Sequence, residues 1–532
     1  MGRVLGSGRG LVAERDVGSR RGAGLRAALR RANPHRELMS GLAVGFAAFL
    51  LYWRTLMPDV AFWDTAEFQA IGPVLGIAHP TGYPAYTILA WVASIVFQPF
   101  GNEAFRANLL NAVLTAAAVG VVAAVITRLT DRFVVGVATG LVLAVSAETW
   151  AIGLRADPHA LHLLLAAVLV YLLVVWHDRV RQDRPADRWL LAAAVTFGIA
   201  LGNHGLTFLL APGIGVFVVS AYPQILRRPK LIAACAGGLA LTTVLIYLYL
   251  PLRSAMDPPL DYANPQTWEG FRYLVFAEQF RGTFRAFPTV AEAFRTIGDV
   301  TLAQLGLFAI LALLGVLVAT WRRPTLVVLL GLWFLVNWVF ALGYLNADIG
   351  RYYLVPVLSA AILGGVGLGV MVEGLERLVA RLRPAPGRAF AIAAGAVLTV
   401  ILVTPTVAAF PERYRVLDAS HDVAARTWLN TVSRALEPNA VVVSWWSYST
   451  TLWYGQYVED IRPDVTVIDD STIVEDNLGD VNAVIDSYLG TRPVYLIRLS
   501  GDVPAYEQRY SLSSVPGIVG GPVYRVDSRL AT

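Results

Sequence analysis

The sequence is almost without lysine and cysteine. Of 43 basic residues, all but Lys230 are arginine, and Cys235 is the single cysteine. One cysteine excludes an intrachain disulfide and any metal centre built on several thiolates. Charge is scarce as well. Only 15% of the 532 residues are charged while 56% are hydrophobic, a balance foreign to soluble globular chains. No Walker-type or dinucleotide-binding glycine loop occurs, nor a nucleophile elbow, which removes the usual signatures of nucleotide and serine-hydrolase chemistry. No short repeat stands out. The stretch from residue 1 to 37 has no compact apolar region with a cleavage site and does not read as a signal peptide. It reads as a disordered cytoplasmic tail whose arginines serve topology and lipid headgroups, not nucleic acid.

What remains is a chain rich in long apolar runs. A bilayer crossing takes about 20 apolar residues, and runs of that order predict about eleven transmembrane helices. They lie near 38–57, 109–127, 133–148, 159–176, 189–203, 206–222, 231–250, 301–320, 325–343, 353–372 and 389–410. The segment 85–100 decides the topology. If it crossed, Arg179, Arg181, Arg184 and Arg188, then Arg227, Arg228 and Lys230, and later Arg377, Arg381, Arg383 and Arg388 would all face outward. That inverts the positive-inside rule, whereas an amphipathic helix lying in the outer interface restores it. The N-terminus is then cytoplasmic and the C-terminus extracytoplasmic. The predicted fold is an α-helical polytopic membrane protein over 38–410, with outer loops 58–108 and 251–300. A small extracytoplasmic α/β domain follows over 411–532, with strands expected at Ala440–Trp445, Val465–Asp469 and Val494–Leu499. A surface helix is expected over Trp268–Arg281.

With that topology the chemically capable residues gather on the outer side. The first outer loop carries Asp59, Asp64, Glu67 and His79, with Trp63, Tyr83 and Tyr86 nearby. On a helix, Asp64 and Glu67 share a face. Such a pair suits a divalent cation such as magnesium or manganese, or a base for an incoming hydroxyl. It equally suits the solvated first turn of a helix. The string HPTGYP around His79 and Tyr83 fixes an irregular backbone, which at membrane depth survives beside protein or an aqueous cavity. It serves as well for a sharp turn that launches the next helix. Asp157, Asn203, His204, Arg253 and Arg351 come from separate outer loops. Each alone suits a snorkelling or paired side chain. Together, acids on one loop and Arg/His on others suit a phosphate-leaving donor attacked by a hydroxyl. The aromatic string SWWSYSTTLWYGQY in the C-terminal region fits packing better than ligand binding.

These motifs carry a resemblance. WDTAEF with LGIAHPTGYPAY, the GNH at Gly202–His204, YLPLRS at Tyr249–Ser254 and GQYVEDIRPDV at Gly455–Val465 resemble the transmembrane protein O-mannosyltransferase family and its bacterial relatives. These belong to the GT-C superfamily of membrane glycosyltransferases. The resemblance runs from about residue 38 to 470 and implies an inverting transferase. Its donor would be a polyprenyl-phosphate-linked sugar, most simply mannose, and its acceptor a protein or glycan hydroxyl on the outer face. It implies Asp64 as catalytic base with Glu67 beside it. His79, His204, Arg253 and Arg351 would serve the donor phosphate, and Tyr83, Tyr86, Asn203 and Asp157 the substrate. The chain departs from the family pattern at Ala66, at Thr81 and in RADPHAL, where an acidic-Val-Tyr pattern is usual. The rival reading is a transporter or lipid flippase, which would place polar residues at the midplane between related halves.

Overall fold

The computed structural model describes residues 33–382 and 387–531; most of the expected N-terminal tail lies outside them. Among the described residues, six helices are long and apolar enough to cross a membrane: Glu103–Thr130, His159–Arg181, Pro229–Ser254, Pro324–Gly343, Ile349–Leu382 and Ala389–Val407. The protein is an integral membrane protein. Helix Pro229–Tyr247 has no buried residue, so lipid is the apolar solvent that its sequence calls for. Helix Pro34–Arg54 packs along Glu103–Thr130, with Tyr52 and Val44 fully buried between them and their neighbours.

The expected crossing at 301–320 is broken. Helix Val290–Leu305 and helix Phe308–Arg322 meet at an angle of 111°. Gly306 supplies the hinge with φ 56°, and the first helix carries Glu292, Arg295 and Asp299, which keep it out of hydrocarbon. Segment 85–100 forms helix Pro84–Val96 of 13 residues. At 1.5 Å per residue that is about 20 Å, short of a core about 30 Å thick.

The two ends of the helical body differ in chemistry. At one end Arg128 reaches Glu37 (3.1 Å) and Asp178 (3.0 Å), and Arg323 reaches Asp178 (2.8 Å). Four helices are thereby pinned by charges that neutralise one another. At the other end of helix Glu103–Thr130, Asn108 and Asn111 bind the carbonyls of Met57, Ile152 and Asp157. Residues 108 and 128 of one helix are separated by about 30 Å at 1.5 Å per residue.

The C-terminal region folds into a five-stranded sheet in the order β2-β1-β3-β5-β4. Its strands are β1 (Val441–Ser444), β2 (Thr466–Asp469), β3 (Val494–Ile497), β4 (Tyr510–Ser514) and β5 (Tyr524–Arg529). The first three are parallel, and β5 pairs antiparallel with both β3 and β4. Alternation along β1 sends Val442 to one core and Val441 and Val443 to another, so helices cover both faces. Helix Trp446–Glu459, between β1 and β2, packs onto helix Trp63–Val74 and the segment that leads into it. There Thr451 donates to the Ala61 carbonyl (2.8 Å), and the Tyr454 hydroxyl accepts from the Ala104 amide (3.1 Å). Arg426 joins Asp59 (2.7 Å) to Glu459 (2.5 Å) across the same seam.

Candidate active site

Helix Trp63–Val74 starts without a side-chain cap, and Asp64 stands in its first turn, where a carboxylate meets the unpaired amides. Trp63 holds a left-handed backbone, φ 62°, a conformation that costs a bulky residue of order 1 kcal/mol and persists only where packing enforces it. Its ring lies 4.7 Å from that of Trp445. The turn aims Asp64 at the seam between membrane body and C-terminal domain. Its Oδ1 accepts from the Trp446 indole N–H at 3.2 Å, and its Oδ2 from Arg351 at 3.4 Å. Burial alone would push this carboxyl up, but His79, Arg351 and the indole outweigh burial and hold it below the ordinary aspartate range.

Glu67, one turn on, is buried and faces His79. Its Oε1 accepts the His79 amide at 2.8 Å and its Oε2 pairs with Nδ1 of the same residue. Burial works against a charged imidazole, yet the Glu67 carboxylate prevails and raises His79 above its ordinary value. The HPTGYP string places this imidazole. Tyr83, at φ 45°, launches helix Pro84–Val96 and turns its hydroxyl back to the Pro80 carbonyl (3.2 Å) and to His79 Nε2 (3.4 Å).

Arg351 is the hub. From the short 3-10 turn Ile349–Tyr353 that opens the span Ile349–Leu382, it reaches Asp64, Asp157 (3.2 Å) and Asp348, while its Nε has no partner. Asp157 is buried, and its other oxygen accepts from the amide (2.8 Å) and Nδ1 (2.7 Å) of His159. Burial would raise its pKa; Arg351 and His159 together drive it well below the usual carboxylate range. The His204 ring lies 4.5 Å from that of His159, tilted by 60°. Its Nδ1 accepts from the Leu206 amide at 3.1 Å, which leaves Nε2 as the N–H of the neutral ring. That N–H has no partner within the protein.

The expected site residues divide on this geometry. Asp64, Glu67, His79, Tyr83, Asp157, His204 and Arg351 are joined in one cluster. Arg253 is not among them. It donates to the carbonyls of Val74 (3.1 Å) and Leu75 (2.8 Å), closing the end of helix Trp63–Val74 where Pro73 and left-handed Leu75 stop it. Tyr86 is fully buried and donates to Asn111 (2.7 Å), and Asn203 donates to the Pro158 carbonyl (3.0 Å). Both side chains anchor backbone and helices. Trp446 is the residue that sequence reasoning missed. Its aromatic string was in view, but the indole's partner lies 382 positions away. The pair singled out for a divalent cation does not form a cage. Both Glu67 oxygens are spent on His79, and among the described residues no three His, Cys, Asp or Glu side chains could hold a metal together.

Residues 64–225 match the model of the protein O-mannosyl-transferase TMEM260 N-terminal domain. The mouse protein O-mannosyl-transferase TMEM260 is 27% identical over 384 residues, which is 65% of this chain and 52% of the mouse protein. Its Dictyostelium discoideum counterpart is 24% identical over 179 residues, 31% of this chain and 21% of that one. The chain thus spans about half the length of the first relative and about a fifth of the second. Among solved structures, ArnT from Cupriavidus metallidurans bound to undecaprenyl phosphate superposes with TM-score 0.59 at 16% identity, covering 92% of this chain and 97% of that one. The fold is GT-C. The ArnT match extends beyond the helices, since coverage of 92% of the chain reaches into the C-terminal sheet region. The resemblance read from WDTAEF and HPTGYP is therefore met twice, in sequence and in fold.

Proposed function

We propose that this protein is an inverting GT-C glycosyltransferase that moves a sugar, mannose in the first instance, from a polyprenyl-phosphate carrier to a hydroxyl of a protein or glycan acceptor. One observation carries the reading. An ionised aspartate in the first outer loop is held at the seam of membrane body and C-terminal domain, in the fold of an enzyme solved with undecaprenyl phosphate. The mannosyl-transferase names of the mouse and Dictyostelium relatives supply the choice of sugar.

In the proposed step the acceptor oxygen attacks the anomeric carbon while the bond from that carbon to the phosphate oxygen breaks. The hydroxyl acidifies as it bonds, and its proton passes to Asp64, whose low pKa keeps it ionised at neutral pH. Arg351 and the Trp446 N–H hold the carboxylate in one orientation, so little reorganisation is left for the reaction. The leaving polyprenyl phosphate gains charge. His204 Nε2–H and Arg351 Nε, both unspent, are the donors assigned to it, and His79, whose charged form the Glu67 carboxylate favours, stands nearby. Arg253 has no part in this, being committed to backbone carbonyls. No step is routed through a metal ion.

The proposed orientation puts the N-terminus in the cytoplasm and the C-terminal domain outside, with the Arg128 cluster at the inner face. Cysteine labelling tests it. With Cys235→Ser as background, Gln508→Cys on intact cells should react with an impermeant maleimide and Lys230→Cys should not. The opposite pattern would overturn the orientation and place the chemistry inside.

A further inference from the structure

The parallel strands of the C-terminal sheet end toward the seam. The chain leaves β1 for β2 and leaves β3 for β4, on opposite sides, so the carboxyl ends of β1 and β3 flank the topological switch point, where open α/β sheets form their crevice. In open α/β sheets this is where ligands bind. The two outgoing loops stay in touch, because the Trp445 amide donates to the carbonyl of Ile497 at 3.0 Å. The next residue on the first loop is Trp446, bonded to Asp64. The next on the second is Arg498. The crevice therefore begins within a residue or two of the proposed base.

Arg498 is 4% exposed, and its hydrogen bonding is half complete. One terminal nitrogen is spent on both oxygens of Asp470 (2.8 and 2.6 Å), while Nε and the other terminal nitrogen have no partner. Those two nitrogens form the side-on edge of the guanidinium, a two-pronged donor that matches a planar oxyanion. A buried donor without a partner has lost its water and gained nothing in exchange, so such an edge is seldom kept without a use. Across the same strand ends, the Oδ2 of fully buried Asp469 is also unpartnered. The segment after β2 is roofed by the long outer loop, whose Tyr262 donates to Ser471 at 3.1 Å. The crevice thus has a base at one end, a roof, and an unspent arginine edge.

We infer that this crevice holds the acceptor as an extended peptide, and that Arg498 takes the carboxylate of an acidic residue near the hydroxyl to be glycosylated. This rests on the transferase reading above and adds the acceptor's chemistry to it. Arg351 shows, in the same molecule, one guanidinium serving several carboxylates.

The test uses the full chain in detergent or nanodiscs and a pair of fluorescent serine peptides that differ only as aspartate and asparagine. Binding is read by anisotropy without donor, and sugar transfer is measured separately. The aspartate peptide should bind about ten- to a hundredfold more tightly, as a charged two-pronged hydrogen bond allows. In Arg498→Lys, which keeps the charge but not the edge, the preference should collapse to severalfold or less. Equal binding of the two peptides by the wild type overturns the assignment without any variant having to fold. So does a preference that survives intact in Arg498→Lys, or a uronic-acid oligosaccharide that displaces the probe better than the peptide does. Discriminating binding with no transfer to any acceptor would instead count against the transferase reading alone.

Discussion

At the scale of single residues, the site is one of charges arranged so that each is defined by its neighbours. Trp446→Phe keeps the ring and deletes the N–H that bonds Asp64 at 3.2 Å. The Asp64 pKa should rise, because that bond favours the ionised form. The acid limb of the pH–rate profile should then move to higher pH, and the rate at neutral pH should fall severalfold as the carboxylate loses its fixed orientation. A profile unmoved from wild type would mean the indole does not tune the base. Arg351→Gln should cost about 3–5 kcal/mol of stability, since it strands Asp157 as a buried charge short of a partner. Burial raises the Asp157 pKa, Arg351 and His159 outweigh it, and the net shift is downward. The stability it contributes is therefore present above an unfolded value of about 4 and lost as pH falls below it. Thermal unfolding at neutral pH should show the loss, with partial recovery in Arg351→Gln/Asp157→Asn.

At the scale of elements, helix Trp446–Glu459 belongs to the C-terminal domain by sequence and to the candidate site by position. Thr451→Val removes a bond to the Ala61 carbonyl inside a packed seam, at a cost of about 1–3 kcal/mol. Amide exchange in residues 59–67 should quicken while the transmembrane helices stay protected; no change in exchange there would show that the helix does not hold the loop. The elements were unevenly legible in the sequence. Strands β1 and β3 were foreseen because they are short runs buried throughout, and β2 because Val465, Val467 and Ile468 mark it although its first two residues are only partly buried. Strands β4 and β5 were not, because YSLSS and YRVDSR keep one buried residue each and carry little hydrophobic signal. The break at Gly306 was missed for a related reason. Hydropathy sums over residues and does not register that a glycine lets charged Val290–Leu305 turn away from its apolar successor. HPTGYP was legible as irregular backbone, yet only the structure shows that its product is the His79–Glu67 pair.

At the scale of the whole molecule, the helical body is charged at both ends and apolar between. One end is a neutralised lattice of Arg128, Glu37, Asp178 and Arg323 that ties helices together. The other gathers Asp64, Glu67, His79, Asp157, His204 and Arg351, with N–H groups on His204 and Arg351 left unspent, and faces the C-terminal domain that carries Arg498. This asymmetry argues for chemistry at one face over transport through the middle. The sequence displayed it as basic clusters on one side and acids and histidines on the other. It did not display how the C-terminal domain closes the site, since Arg351 and Trp446 meet Asp64 there from 287 and 382 positions away. The most direct measurement is sugar transfer from labelled polyprenyl-phosphate-mannose by the purified chain, wild type beside Asp64→Asn, with envelope proteins and glycans as acceptors and folding checked for both. The account predicts transfer by the wild type and a loss of at least about a hundredfold in the variant, the scale of a missing general base. Equal transfer by the two would contradict it.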